Sequence, residues 1–312
     1  MRSSLLLALA ALAACAPKKD AAPPAADSVA VVPDTATVKI SATDGFSTPE
    51  SVIWDAAQGV WFVSNINGNP SAKDGNGFIS RLKADGTVDS LHFIVGGANG
   101  VTLNAPKGLA ITGDTLWVAD IDAVRGFQRI TGAPVASVAV GAKAHFLNDA
   151  VAGPDGTLYI TDTGILFDAK GAATHPGPDR IYAVHGRTVS VAAEGDWLER
   201  PNGIAWDNGA QHYLLVPFGG SALRSWAPGA AMGDSIGAGP GSQDGVEILD
   251  GTPLITSWAD STVFALVGGA RRVLVHGVNA PADIGLDRAR RLLAIPLFMD
   301  NRVEFWKVGA LR

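Results

Sequence analysis

Six times along the chain, a short run of alternating apolar and polar residues opens on Pro or a polar residue, or once on Ala before Asp, and closes in a turn rich in Gly or Asp. A second, more hydrophobic run follows each time. The openings are Pro49-Glu50-Ser51-Val52, Pro106-Lys107-Gly108-Leu109, Asn148-Asp149-Ala150-Val151, Pro201-Asn202-Gly203-Ile204, Gln243-Asp244-Gly245-Val246 and Ala282-Asp283-Ile284-Gly285. Alternation with period two predicts strands that bury one face. The third unit is the fullest: residues 149–152 run into the turn Pro154-Asp155-Gly156, and strands over 157–162, 180–184 and 188–192 follow. No stretch carries the 3.6-residue apolar period of an amphipathic helix.

Aligning Glu50, Lys107, Asp149, Asn202, Asp244 and Asp283 gives steps of 57, 42, 53, 42 and 39 residues. Units of roughly 40–50 residues with several short strands each predict the blades of a propeller. The expected fold is therefore an all-β, six-bladed β-propeller over residues 36–312. The last unit supplies only three strands, over 283–286, 291–297 and 302–308. Thr37–Ser41 is expected to add the fourth, closing the ring from the N-terminal side and covering an open edge. The long inserts 65–77 and 164–179 should overhang the channel mouth. The tryptophans at 54, 61, 117, 206, 226, 258 and 306 are expected to pack between blades.

Residues 1–15 do not fit this pattern. A positive start, an apolar run and the ending Leu12-Ala13-Ala14-Cys15 describe a secretory signal, with the chain's single cysteine at the position that lipoprotein signals acylate. Ala16 after the cysteine favours the outer membrane, facing the periplasm, with lipid as the partner of the acylated N-terminus. Residues 16–35 are rich in Ala and Pro and read as an extended tether. A net charge of −6 argues against nucleic acid as a partner. Nothing in the sequence suggests an obligate dimer, and a monomer is expected.

A propeller carries the first strand of every blade to one central channel, so the polar side chains opening those strands should meet. Glu50, Asp149, Asn202, Asp244 and Asp283 carry carboxylates or an amide, and Asn148 lies beside them. Asn and Asp also open strands because they make turns. Glu50 is no turn former, however, and Pro201-Asn202-Gly203 matches Gln243-Asp244-Gly245 in position. Carboxylates around one axis repel unless a cation neutralises them. Oxygen donors without His or Cys select Ca²⁺, Mg²⁺ or Mn²⁺ over Zn²⁺. Lys107 enters the same ring, as a channel residue paired with Asp149 or Asp283 or as a contact for substrate. His145, three residues before Asn148, is either a loop histidine or a second acid–base candidate. The absence of any Gly-x-Ser-x-Gly elbow speaks against a serine hydrolase.

The stretches Ser47–Asp55, Leu147–Val151, Arg200–Asp207 and Gln243–Glu247 resemble the blade openings of regucalcin/gluconolactonase-type six-bladed propellers. The resemblance implies that Glu50, Asn202 and Asp244 hold one divalent ion, that Asn148 contacts substrate or completes the metal's surroundings, and that Asp244 is the general base. Phe146 stands where the family's sugar lactonases carry Arg. The expected function is a divalent-metal-dependent hydrolase of a lactone or related small-molecule ester. Its ion, Ca²⁺ or another divalent cation, would polarise the carbonyl, and Asp244, or His145 in second place, would take the proton of water. The competing reading is a non-enzymatic, envelope-anchored propeller that binds a ligand or protein.

Overall fold

Six four-stranded antiparallel sheets follow one another along the chain, each ordered from its first strand outward. The first blade comprises Pro49–Asp55, Val60–Asn65, Phe78–Lys83 and Val88–Val95. The second is Pro106–Thr112, Thr115–Asp120, Ala123–Gln128 and Pro134–Ala139, and the third Leu147–Ala152, Leu158–Asp162, Arg180–His185 and Thr188–Glu194. The fourth is Pro201–Asp207, His212–Pro217, Ala222–Trp226 and Asp234–Ala238, and the fifth Gln243–Leu249, Thr252–Ser257, Thr262–Val267 and Ala270–His276. The sixth holds Gly285–Asp287, Leu292–Leu297 and Arg302–Lys307, with Val38–Asp44 paired outside them. This computed structural model describes residues 37–141 and 143–311, so the signal segment with Cys15 and the Ala/Pro-rich tether lie outside the described residues.

The fold is the six-bladed propeller that the repeat predicts, and the closing strand is the N-terminal one. Val38 pairs with Lys307 and Asp44 with Arg302, and ion pairs Lys39–Glu304 and Arg302–Asp44 flank the ladder. Its outward side chains are exposed, as suits an outermost strand. Among the described residues there is no α-helix, only the single 3₁₀ turn Asp196–Leu198.

The core is not one mass but six layers, each shared by two neighbouring blades. Val124 and Val138 of the second blade pack with Ile160 and Val184 of the third, and Leu254 and Val263 of the fifth with Leu293 and Ile295 of the sixth. The layer that closes the ring joins the first and last blades: Trp61, fully buried, meets Phe305 edge-on at 5.6 Å. Second strands are apolar on both sides because each lies between two such layers, which is why they read as the more hydrophobic run. Polar residues at their ends hold the entry to their own blade. Asn65 accepts from Ser47 N (3.0 Å), Asp120 from Asn104 N and Ala105 N, and Asp162 from Phe146 N.

Candidate functional site

In the first five blades the first strand slips register against the second at the same place, between Pro49 and Val52, Pro106 and Leu109, Leu147 and Ala150, Pro201 and Ile204, and Gln243 and Val246. Each slip is a bulge that breaks the strict in–out alternation and re-aims side chains. Two residues lie inside it. The first of each pair, Glu50, Lys107, Asn148, Asn202 and Asp244, lines a single cavity of about 580 Å³ above the channel.

The second of each pair, Ser51, Gly108, Asp149, Gly203 and Gly245, turns against a neighbouring blade. A Cβ on Gly108 would lie 2.4 Å from Asp149 Cα, and one on Gly245 would lie 2.7 Å from Asp283 Cα, so only glycine fits there. Asp149 Oδ2 accepts from Ile204 N at 2.7 Å, and Ser51 Oγ donates to Asp283 Oδ2 at 2.5 Å. In the sixth blade, Pro281 bridges Leu297 as Pro49 pairs with Asn65, which puts Ala282 level with Glu50 and Asp283 level with Ser51. The alignment that set Asp149 and Asp283 beside Glu50 is thus corrected by one residue. Both acids belong to a lower ring that stitches blades together, and they line a separate cavity on the other side of it.

At the floor of the upper cavity, Glu50 Oε2, Asn148 Oδ1, Asn202 Oδ1 and Asp244 Oδ1 are all buried without a hydrogen-bond partner. Unpaired buried acceptors are costly, and four of them from four blades around one cavity are oxygen donors of the kind hard cations take. Asn148 is held for this by its own donor: Nδ2 gives its hydrogen to Thr163 Oγ1 at 2.9 Å, leaving Oδ1 free. Among the described residues no three His, Cys, Asp or Glu side chains gather as a metal cluster; here two carboxylates are joined by two amides. Burial first, then the charges of Asp244 and Asp283, hold the Glu50 carboxyl well above the usual carboxylate range, with Lys107 pulling it down. Burial, then Asp283, does the same to Asp244, against the Asn202 amide and Trp258 indole, which favour its ionised form. Removed from water and crowded together, these acids resist ionising without a positive partner.

Lys107 is not that partner. Its Nζ donates to Pro70 O and Ala105 O, each at 3.1 Å, and lies 4.1 Å from the centre of the Phe146 ring. The pairing expected with Asp149 or Asp283 does not form, because both acids sit a level below and are bonded elsewhere. Burial lowers the Lys107 pKa to about 8. His145 does not line the cavity; its backbone N–H is bound to Asp162 Oδ2 at 3.2 Å.

Both long inserts reach the mouth as expected, and each braces the other: Asn69 Nδ2 donates to Asp168 O at 2.7 Å and Phe167 N to Ser71 Oγ at 3.1 Å. The cavity wall holds a residue that sequence reasoning assigned to blade packing. Trp258 lines the cavity, flanked by Phe218 and Phe298 at 5.4 and 5.3 Å, and its buried indole N–H is turned toward the Asp244 carboxylate. The signal was its position, directly after the second strand of its blade.

No family model and no curated protein sequence matches this chain. Solved structures do. A gluconolactonase from Xanthomonas campestris shares 18% identity, with 85% of this chain and 88% of that chain covered and a TM-score of 0.64. A second protein assigned to the gluconolactonases shares 17% identity over 89% of this chain and 93% of its own, also at 0.64. A streptogramin B lyase is similar at 11% identity, 88% and 97% coverage and a TM-score of 0.58. At these identities the likeness is one of fold.

Proposed function

We propose that this chain is a divalent-cation-dependent hydrolase that opens a lactone or related ester, with its reaction centre at Glu50, Asn202, Asp244 and Asn148. One observation carries the reading: four buried acceptor oxygens, without partners, converge from four blades on the floor of one cavity. The donor set fits Ca²⁺, Mg²⁺ or Mn²⁺, all of which prefer carboxylate and amide oxygens. Bound there, such an ion supplies electrophilic assistance to a substrate carbonyl.

The residues divide the remaining work. Asn148, oriented by Thr163, would give its amide oxygen to the ion as the fourth donor. Asp244, desolvated and therefore a stronger base than a surface carboxylate, takes one proton from the attacking water. The water oxygen bonds to the carbonyl carbon, the ring C–O bond breaks, and the proton held by Asp244 passes to the departing alkoxide. The product is a hydroxy acid. His145 takes no part, since it lies off the cavity. In the same proposal Cys15 carries the acyl anchor that holds the protein to the outer membrane.

Likeness to gluconolactonase propellers supports this reading at the level of the fold. The test is lactone hydrolysis by purified protein before and after chelation, with Asp244→Ala alongside. Turnover that needs the added ion and disappears in the variant is expected. Rates indifferent to chelator would leave a binding module in place of an enzyme.

A further inference from the structure

The residue that directly follows the second strand has the same place in every blade. In order these are Ile66, Ile121, Thr163, Phe218, Trp258 and Phe298, and all but Thr163 are apolar or aromatic. They form a collar immediately above the polar floor. Five of them line the cavity, and Ile121 packs in one cluster with Ile66 and Phe298. Phe218, Trp258 and Phe298 make a continuous aromatic face, and across the cavity Phe146 and Phe167 pair at 5.8 Å.

Polar side chains of the wall are already committed. Thr163 Oγ1 donates to Pro201 O at 2.8 Å while accepting from Asn148. Asn69 donates to Asp168 O and accepts from Ser71 N at 2.9 Å. Lys107 is spent on two carbonyls and a ring face. Thr48 keeps a hydroxyl at the half-buried rim. Inside the collar the one buried donor not committed to another wall group is the Trp258 indole N–H, which is turned toward the Asp244 carboxylate at the floor. Hydrogen-bonding capacity is therefore concentrated at the floor, and the space above it is walled by carbon.

From this we infer that the substrate is an apolar lactone or ester, aryl- or alkyl-substituted, and that polyhydroxylated sugar lactones are excluded. The inference rests on the hydrolase reading for its reaction and on the collar alone for its ligand. An aromatic or alkyl body fills the carbon-walled space, while its single ester group reaches the floor. A sugar lactone would bring several hydroxyls into a wall with one free donor, each losing water without a replacement. An apolar pocket rejects a single added hydroxyl by about a hundredfold at most, and several hydroxyls multiply the penalty.

The experiment separates ligand class from catalysis by using lactams, which bind as lactones do and are not opened. Protein saturated with Mn²⁺ is titrated calorimetrically with 3,4-dihydro-2-quinolinone and with glucono-δ-lactam, and turnover is measured on the matching lactones, dihydrocoumarin and glucono-δ-lactone. The quinolinone is expected to bind at least about 100-fold more tightly. Phe218→Asn, which puts an amide into the collar, should shrink that preference about tenfold or more while leaving the melting temperature within a few degrees. Equal or tighter binding of the sugar lactam overturns the inference, and so does a failure of the quinolinone to bind. If the quinolinone binds and dihydrocoumarin is not opened with ion present, the hydrolase reading fails and the ligand class stands. If glucono-δ-lactone is the faster substrate, the ligand class fails and the hydrolase stands.

Discussion

The ammonium of Lys107 rests 4.1 Å from the centre of the Phe146 ring and donates hydrogen bonds to two backbone carbonyl oxygens. The site thus keeps a buried cation beside the acids without letting it neutralise them. Its charge still pulls the Glu50 carboxyl downward, so it repels any ion that Glu50 holds. Lys107→Met, which fills the same space without charge, should tighten Mn²⁺ binding by about tenfold or more, as expected for removing a unit charge nearby at an effective dielectric of ~20. Titration of both proteins at one ionic strength checks this, and weaker binding in the variant would assign Lys107 a supporting role.

The acids set a pH dependence with a definite sign. Burial raises the Asp149 carboxyl from 3.8 to about 7, and Glu50, Asp244 and Asp283 are also raised. Above its ordinary pKa the unfolded chain has released these protons while the folded chain still binds them, so stability falls as pH rises. For Asp149 that loss runs from about pH 4 to about 7 and then levels. Chelated protein should melt lower at pH 8 than at pH 5, and Asp149→Asn should flatten part of the slope. Added Ca²⁺ should raise the melt far more at pH 8, where Glu50 and Asp244 yield their protons to it. A calcium effect equal at both pH values would contradict this.

The lower ring makes a packing prediction. At Gly245 a Cβ would stand 2.6 Å from Ile284 N and 2.7 Å from Asp283 Cα, both of the adjoining blade. Gly245→Ala must push two blades apart and should cost about 2 kcal/mol or more, as overpacked cores do. Gly251→Ala, where nothing lies within 4 Å but φ is +75°, serves as the strained yet unclashed comparison. Denaturant midpoints of the two variants should differ, with Gly245→Ala the lower.

Removing residues 37–44 deletes the outermost strand of the last blade and its ion pairs with Glu304 and Arg302. The melt should fall by roughly 10 °C or more, since each kcal/mol is worth about 2–4 °C in a domain of this size. The bared edge of Arg302–Lys307 should also promote association between chains. An unchanged melt would mean that the closing strand contributes little.

The blades were legible because four of the six openings combine Pro or Asn with period-two alternation, and because no apolar 3.6-residue period in the sequence interrupts the count. The closing strand was legible because the sixth unit has three strand-like runs and Thr37–Ser41 is a strand-like run that belongs to no other blade. The level of each polar residue was not, since the bulges insert residues that alternation cannot count. Asp149 and Asp283 therefore matched Glu50 by chemistry while lying one residue further on. Trp258 was hidden for a related reason: a tryptophan beside a strand reads as packing until Phe218 and Phe298 are seen to share its place in their blades. The free oxygens of Asn148 and Asn202 are invisible in sequence, because only the folded chain shows which acceptors remain unbonded.

In the proposed hydrolase, Glu50, Asn148, Asn202 and Asp244 together hold one divalent ion. Calorimetric titration of chelated protein with Mn²⁺, repeated on Glu50→Gln and Asp244→Asn, tests it most directly. One ion per chain, with affinity lost by about 100-fold or more in each variant, is the predicted result, in line with removing a ligand charge from a buried site. No binding by the unaltered protein, or equal affinity in all three, would contradict it.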